Sequence, residues 1–266
     1  MELYQFEMSH YCEKVRFLLD YKGLTYQKKE VTPGIGQLDV YRLSGQRQVP
    51  VLQDGAEAIA DSTGIAFYLE GAYPDRSLIP TDPVQRGYCL ALEAWADDSI
   101  GLNARKVMLG AFGQNPDLRT ALLPPQTPDF LKGLVGAVPR EALDIVGSSL
   151  GLGPDVVKAA RVDVERSLEA LTLLLRDRPY LIGDEPTLAD FSVAALTMYV
   201  KFPAAAYVDI PASLQGRGVP GIADNPAYAP FFDWRDRLYA DYRVAGPMMT
   251  QTPPAAGDSP TRISID

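Results

Sequence analysis

Residues 9 to 12, Ser9-His10-Tyr11-Cys12, have the spacing of a C-x-x-C redox box with a serine in the first position. In thiol–disulfide exchange, the first cysteine of such a box attacks as a thiolate held at a helix N-terminus. Because the Ser9 alcohol cannot form a mixed disulfide, the box predicts a site that activates a thiol brought in by a ligand. A hydroxyl donor and a helix N-terminus lower the pKa of a free thiol by about one to two units, which is about 1.4 to 2.7 kcal/mol.

The other members of the box allow more than one role. Cys12 is in helical register with the apolar positions that follow it, which is typical of a small buried hydrophobe. It could equally be a resolving thiol beside the site, or a nucleophile that needs no help from Ser9. His10 is the single histidine of the chain, and it is either a donor to the ligand or a solvated loop residue. Among the nearby tyrosines, Tyr11 is better placed than Tyr4 to offer a hydroxyl.

Two further stretches contain groups that could hold an extended ligand. In "QVPVL" a proline falls inside a strand, which predicts either an edge strand with trans Pro50 or a cis bond that turns the Val49 backbone outward. In "ADSTGIAFYL" the pair Asp61-Ser62 begins a helix, and an N-cap alone explains it. Alternatively, the free N–H groups and the Ser62 hydroxyl bind a carboxylate while a neighbouring acidic residue holds an ammonium group. The ligand interpretations together predict recognition of a small peptide.

Composition favours an ordinary globular protein and argues against polyanionic partners. The chain has 266 residues, of which 47% are hydrophobic and 22% charged, and its net charge is −9. Nucleic acids and anionic membranes select clustered Lys and Arg, so neither is expected as a main partner. No apolar run is long enough for a membrane helix, and the N-terminal residues do not have the pattern of a signal peptide. Two cysteines cannot form a disulfide framework, so a reducing cytoplasm is expected.

Hydrophobic periodicity divides the chain into a mixed α/β part and an all-helical part. The first part has the patterns of four strands and two helices, with an irregular segment between the second and third strands. A proline-rich connector follows, and beyond it the patterns indicate helices only. Thr187 and Asp190 have the spacing of a capping box, and Cys89 falls in a helical stripe typical of core. The predicted strands lie at 2–6, 25–31, 45–55 and 56–60, and the predicted helices at 12–22, 61–74, 86–102, 155–177, 186–202 and 226–243.

Residues 127–155 are too apolar for a solvated loop and too interrupted by glycine and proline for one long helix. We expect two short helices, at 128–136 and 139–147. The segment is either additional core of the helical part or a mobile lid over an apolar pocket. A membrane-surface helix is a third interpretation, which the scarcity of basic residues disfavours.

These motifs, in this order, resemble the glutathione S-transferase superfamily over about residues 1 to 245. The segment "SHYCEKVRFLLDYKGL" is most similar to the zeta-like and omega-like branches and to bacterial glutathione-dependent dehalogenases. The resemblance implies a thioredoxin-like domain (1–77), a linker (78–86) and an all-helical C-terminal domain (87–245). The tail, 246–266, is rich in Pro, Ser and Thr and is predicted to be disordered.

The resemblance also implies glutathione as co-substrate, with no metal. A serine at the Ser9 position meets the glutathione sulfur, a Val-cis-Pro pair binds the cysteinyl backbone, and an acidic residue followed by serine takes the γ-glutamyl end. The predicted catalytic residues are Ser9, Tyr11 and Cys12, and the predicted glutathione-binding residues are His10, Gln48, Val49, Pro50, Asp61 and Ser62. Three features depart from the family pattern: Cys12, the run Gln46-Arg47-Gln48, and residues 108–154, which have the character of an insertion.

The expected function is transfer of glutathione to a small hydrophobic electrophile, or reduction of an organic hydroperoxide. The resemblance implies a homodimer in the cytoplasm, with a role in detoxification or stress response. Two alternatives stay open. One is a binding or scaffold protein that keeps the fold without turnover, and the other is a thiol transferase that depends on Cys12.

Overall fold

The computed structural model describes residues 1–31, 36–121, 129–139, 148, 151–204, 206–210 and 214–246. The tail predicted to be disordered lies outside these ranges apart from Gly246, and so does the predicted helix at 139–147 apart from Pro139. Within the described ranges, no helix combines the length and the apolar character that crossing a membrane requires.

The first part of the chain forms a four-stranded mixed sheet, and the predicted strands are confirmed. β1 is parallel to β2 and antiparallel to β3, and β3 continues into β4 through a hairpin with Gly55 at φ +59°. The predicted edge position of the fourth strand is confirmed by the strand order β2-β1-β3-β4. The strands are β1 (Glu2–Gln5), β2 (Gln27–Glu30), β3 (Val51–Asp54) and β4 (Glu57–Ala60), and the helices are α1 (His10–Tyr21), α2 (Gln37–Ser44) and α3 (Ser62–Ala72).

Helix α2 occupies the place where the sequence predicted an irregular segment. Val40 is the one buried residue of this helix. Its four apolar residues, Leu38, Val40, Tyr41 and Leu43, lie all round the helix and not on one face, so no helical period could be recognised. Gly45 follows α2 with φ +74°, a left-handed conformation that glycine adopts without steric cost. The chain then runs directly towards Pro50.

The second part of the chain is helical, which confirms the predicted fold class of an α/β domain followed by an all-helical domain. Among its described residues, the extended structure amounts to one isolated bridge between Lys201 and Gly218. Helix α9 begins at the predicted capping box of Thr187 and Asp190. The helices are α4 (Pro83–Trp95), a π-helical segment (Ala96–Gly101), α5 (Leu102–Gln114), α6 (Pro116–Ala121), α7 (Asp129–Gly136), α8 (Pro154–Leu174), α9 (Leu188–Leu196), a 3-10 turn (Pro226–Tyr228) and α10 (Ala229–Tyr242).

Helix α1 joins the two parts of the molecule, because it packs on α9 and belongs to a core that extends through both parts. The rings of Phe17 and Phe191 have centroids 5.6 Å apart. The buried Lys14 ammonium lies 2.5 Å from a Glu93 carboxylate oxygen and 2.9 Å from an Asp97 carboxylate oxygen. Since a buried charge is costly unless it is paired, these contacts hold α1 in one orientation against α4 and the π segment.

A second buried ion cluster ties the other side of α1 to the end of α10. The Glu13 carboxylate accepts hydrogen bonds from Arg16 at 2.5 Å and from Arg243 at 2.9 Å. Arg243 also donates to an Asp20 carboxylate oxygen. Both arginines lower the pKa of Glu13 against the effect of its complete burial. Helix α1 is thereby fixed along its length, and its N-terminus has a defined position.

The segment around α7 was predicted to be either core or lid. The predicted helix at 128–136 is confirmed, because α7 spans Asp129–Gly136. Phe130 and Leu134, which were expected on its apolar face, are 68% and 63% exposed and so do not form core. No described residue between 108 and 155 lines the cavity described below. The lid interpretation therefore stays a prediction.

Candidate active site

A cavity of about 530 Å³ lies between the sheet part and the helical part. One wall consists of the N-termini of α1 and α3 and the loop that ends at Pro50. The other wall comes from the π segment, α5 and Tyr199. Eight of the nine predicted site residues line this cavity: Ser9, His10, Tyr11, Gln48, Val49, Pro50, Asp61 and Ser62.

Ser9 is the N-cap of α1, and its hydroxyl oxygen accepts a hydrogen bond from the Cys12 amide at 3.3 Å. This bond uses the oxygen as an acceptor, and no other hydrogen bond of the Ser9 hydroxyl is found among the described residues. The hydroxyl also lies close enough to the Cys12 thiol to lower its pKa, against the larger effect of burial. A neutral thiol is a weak acceptor, so the O–H remains available to a stronger one. The positive end of a twelve-residue helix lies at the same place. Ser9 can therefore donate to an anionic atom that enters the cavity.

The tyrosine hydroxyls at the cavity already donate hydrogen bonds within the protein. Tyr11 donates to the Asp97 carbonyl at 3.1 Å, and Tyr199 donates to the Met8 carbonyl at 2.7 Å. Burial raises the pKa of both phenols to about 12. The third candidate, Tyr4, donates to Glu2 and Gln53, both outside the cavity lining. A ligand sulfur could use the Tyr11 proton only by breaking its bond to the π segment.

Cys12 is the predicted site residue that the structure does not bring to the cavity. Its side chain is completely buried, and burial raises the pKa of its thiol. A neutral, enclosed thiol is a poor nucleophile, since reactivity belongs to the thiolate. The placement is that of a small core residue, and a catalytic role for Cys12 stays a prediction. Cys89 is also buried and free.

His10 is buried rather than solvated, with 2% of its surface exposed. Its ring lies between the rings of Tyr11 and Tyr199, at centroid distances of 4.3 and 4.4 Å. Neither ring nitrogen has a hydrogen-bond partner among the described residues, a condition that costs about 1 to 3 kcal/mol. Burial and the nearby Arg105 cation lower the pKa of His10 to about 3, so the imidazole is neutral at physiological pH.

The Val49-Pro50 peptide bond is cis, which matches the second of the two sequence interpretations. Pro50 is buried, Val49 is half-buried and Gln48 is exposed. Neither the amide nor the carbonyl of Val49 forms a hydrogen bond with the described part of the chain. The loop thus presents one unpaired backbone donor and one unpaired acceptor at the cavity.

The N-terminus of α3 is capped by Asp61, not by Ser62. One carboxylate oxygen of Asp61 accepts from the Thr63 and Gly64 amides, both at 2.9 Å. Asp61 adopts φ +71°, an unfavourable conformation for a residue other than glycine. Ser62 is buried, lines the cavity, and makes no hydrogen bond through its hydroxyl or amide within the described ranges. Capping of the helix therefore does not explain why a serine stands at position 62, and the hydroxyl and the amide of Ser62 are both free to donate to a ligand.

Sequence reasoning missed the contributions of the helical wall. The cavity is also lined from the π segment, from α5 and from the turn that follows α9, by Asp97, Asp98, Leu102, Arg105 and Tyr199. No motif marks them, because they reach the cavity only through the packing of helices that are far apart in the sequence. The one local signal was the acidic pair in "ADDSIG".

Two family models match the chain. The glutathione S-transferase N-terminal domain matches residues 3–77, and the glutathione S-transferase C-terminal domain matches residues 154–242. Together they cover more than half of the chain. The chain belongs to the glutathione S-transferase superfamily. Glutathione is the co-substrate of this family, and among the described residues no group of His, Cys, Asp and Glu could hold a metal ion.

Individual relatives of this transferase-family chain agree with that membership. A glutathione S-transferase of Triticum aestivum is 33% identical over 34% of this chain and 42% of its own length, so the match spans less than half of that protein. A maleylpyruvate isomerase of Ralstonia sp. is 28% identical over 71% of this chain and 77% of its own length. The solved structure of the beta-etherase LigF from Sphingobium sp. has a TM-score of 0.66 at 21% identity, covering 90% of this chain and 94% of that one.

Proposed function

We propose that this protein is a glutathione transferase in which the Ser9 hydroxyl stabilises the glutathione thiolate for attack on a hydrophobic electrophile. The observation that carries the proposal is the hydrogen-bond state of the cavity hydroxyls. Tyr11 and Tyr199 donate to main-chain carbonyls, whereas the described residues offer the Ser9 proton only the weakly accepting Cys12 thiol and the Ser62 proton no acceptor. Each of these two serines lies at the N-terminus of a helix, where an anion is favoured.

The two helix termini suit two of the three anionic groups of a glutathione molecule with an ionised thiol. The thiolate lies at α1, where the Ser9 donor and the helix end lower the pKa of the thiol by about one to two units. The γ-glutamyl carboxylate lies at α3, where the hydroxyl and amide of Ser62 donate to it. The Val49 amide and carbonyl bind the cysteinyl backbone between them, and the second carboxylate oxygen of Asp61 faces the α-ammonium group. Gln48 and His10 complete the predicted binding residues.

In the reaction, the thiol proton passes to solvent and the sulfur electron pair forms a bond to the electrophilic carbon. The leaving group departs with the electrons of its own bond to that carbon. Ser9 donates more strongly to the ionised sulfur than to the thiol, so its contribution falls mainly on the rate. In the reduction of an organic hydroperoxide, the same thiolate attacks the peroxide oxygen, the O–O bond breaks and the alkoxide leaves and takes a proton from solvent. A second glutathione then converts the glutathione sulfenic acid into glutathione disulfide and water.

The relatives support a glutathione-dependent enzyme without deciding the reaction. They include proteins named as an isomerase, a reductive dehalogenase and a beta-etherase. Because one activated thiolate can serve several such reactions, the second substrate decides the chemistry. We place the chain with the zeta-like, omega-like and bacterial branches on the strength of its S-x-x-C box.

The test combines a binding measurement with turnover. The purified protein is passed over immobilised glutathione and assayed with 1-chloro-2,4-dinitrobenzene and with cumene hydroperoxide. Retention with turnover of either substrate is expected. Retention without turnover would favour the binding or scaffold alternative, and exchange with a mixed disulfide that Cys12→Ala abolishes would favour the thiol transferase.

A cytoplasmic homodimer is also proposed. The two cysteines are unpaired, as expected in a reducing compartment. Phe67 on α3 and Val84 and Tyr88 on α4 are large apolar residues that are 43%, 64% and 62% exposed. Such exposed apolar groups are typical of a surface that a second copy covers. Light scattering coupled to size exclusion would give twice the mass of the chain, and a monomer at all concentrations would contradict the proposal.

A further inference from the structure

The helical wall of the cavity carries a cation without an ion-pair partner. Arg105, on α5, is exposed and lines the cavity. It makes no hydrogen bond or ion pair within the described ranges, although its charge influences the pKa values of His10, Tyr11 and Tyr199. Its guanidinium therefore acts on the end of the cavity where these three rings meet.

Of the other charged residues that line the cavity, only Asp97 has an ion-pair partner among the described residues. Asp97 pairs with Lys14 at 2.9 Å, and one oxygen of Asp61 accepts two amide hydrogens. Arg47 lies on the opposite wall, in the loop before Pro50, with its guanidinium 5.7 Å from the centre of the Tyr41 ring. Asp98 is the one cavity carboxylate that makes no hydrogen bond or ion pair with a described residue. A ligand meets an available cation at Arg105 and a competing anion at Asp98.

The other polar groups at this end cannot donate to a ligand. Both ring nitrogens of His10 are buried as well as unpartnered in the described structure, so a ligand atom in the cavity does not reach them. The hydroxyls of Tyr11 and Tyr199, between which the ring lies, donate elsewhere. The available donor here is thus the Arg105 guanidinium, which favours an acceptor oxygen with negative charge.

We infer that this end of the cavity selects electrophiles that carry an anionic oxygen group, a carboxylate or a phenolate, and that Arg105 binds this group. The inference rests on the proposed function, because it assumes that glutathione occupies the wall formed by α1, α3 and the cis-proline loop. Arg105 then acts as a specificity-determining residue for the second substrate, and it takes no part in thiolate activation.

The test uses a matched pair of electrophiles, 4-chloro-3-nitrobenzoate and 4-chloro-3-nitrobenzamide, at saturating glutathione. We expect kcat/KM of the wild type for the benzoate to exceed that for the amide by tenfold or more, relative to their uncatalysed rates. Arg105→Gln should reduce this ratio to near one with little change for the amide. Arg105→Lys should keep part of the preference, because it retains the charge without the planar fork.

Two variants serve as controls. Arg47→Gln removes a cation from the other wall and should leave the benzoate-to-amide ratio unchanged, even if the affinity for glutathione falls. Asp98→Asn removes the competing anion and should raise the ratio. If Arg47→Gln lowers the ratio as much as Arg105→Gln, the effect is one of general charge and the assignment of Arg105 is overturned.

Binding of chemically synthesised products separates this inference from the proposed function. The S-(4-carboxy-2-nitrophenyl) conjugate of glutathione should bind the wild type at least tenfold more tightly than the corresponding amide, and Arg105→Gln should abolish the difference. Equal binding of the two conjugates overturns the inference even if transferase activity is found. Discrimination in binding without any turnover sustains the subsite and contradicts the catalytic proposal, and binding of neither conjugate contradicts both.

Discussion

Two helices direct their N-termini into the same cavity, and the two termini present their side chains in opposite ways. In α1 the N-cap is Ser9, whose hydroxyl both caps the helix and faces the cavity, while the first helical residue, His10, is buried between aromatic rings. In α3 the N-cap is Asp61, which satisfies two amides, and the first helical residue, Ser62, is left free to face the cavity.

The difference indicates that one helix N-terminus can act on the reactivity of a ligand while the other acts on its binding. At α1 a single weak donor sits where a sulfur would gain charge, so its effect is expected on reactivity. At α3 a charged cap supports the helix, and an independent serine can bind a carboxylate that stays ionised throughout the reaction. Substitutions at the two termini should therefore change different kinetic parameters.

The largest effect is expected at Ser9. Ser9→Ala should lower kcat tenfold or more while the affinity for glutathione stays within a few-fold, because the lost donor favours only the ionised sulfur. Ser9→Thr, which keeps both the hydroxyl and the helix cap, should retain most of the rate. Steady-state kinetics together with calorimetric titration of glutathione would measure both quantities. Equal rates in wild type and Ser9→Ala would remove Ser9 from the mechanism and direct attention to Tyr11 or Cys12.

His10 should make stability depend on pH. Its pKa falls from 6.5 to about 3 on folding, so between these values the unfolded chain binds more protons and the folded state loses stability as the pH falls. Above pH 6.5 the free energy of unfolding has its full value with respect to His10, and at pH 5.5 it is lower by about 1.4 kcal/mol. Urea denaturation of wild type and His10→Phe at pH 7.5 and 5.5 would isolate it. Parallel pH dependence in the two proteins would show that His10 is not buried in the neutral form.

At the second terminus, Ser62→Ala should weaken glutathione binding about fivefold, a loss of about 1 kcal/mol, with kcat at saturation little changed. The matched variant Asp61→Asn should preserve the stability of the helix, since Asn is an equally good N-cap, while it weakens binding of the α-ammonium group. Titration calorimetry and thermal unfolding would distinguish these effects. If Ser62→Ala binds glutathione as tightly as wild type, the terminus of α3 is a structural feature only.

The smallest effect is expected at Cys12. Because this thiol is buried away from the cavity and burial raises its pKa, Cys12→Ala should change the transferase rate less than twofold. The native wild type should also react slowly with an aromatic disulfide reagent, at the rate of global or local opening. A variant that folds normally but loses activity would instead assign Cys12 a direct part in the chemistry.

Local sequence patterns predicted most of the cavity wall that the N-termini of α1 and α3 and the loop ending at Pro50 form. Ser9, the Val49-Pro50 pair and Asp61-Ser62 each stand at a boundary of a helix or a strand, and such boundaries follow from capping preferences and from the restrictions on proline. The sequence order of these boundaries also matches the order in which a small mixed sheet brings its strand ends and helix ends together. Eight predicted residues consequently line one cavity.

The same reasoning could not place α2, because the apolar residues of this short helix do not lie on one face and so show no helical period. It also could not choose among the hydroxyls, since whether Tyr11 is free depends on a carbonyl of Asp97, 86 residues away in the chain. His10 could be described only as a donor or a solvated residue, whereas the structure encloses it between Tyr11 and Tyr199.

Apart from α2, the sequence by itself determined the main elements of the sheet part, their order and the residues at their ends, because these depend on interactions within a few residues along the chain. Only the tertiary structure decided which hydroxyls keep a free proton, that Cys12 lies off the cavity, and that Arg105 reaches it without an ion partner. Those properties depend on burial and on partners from distant helices. A buried polar group is costly unless it is paired, so its chemical state follows from its tertiary neighbours.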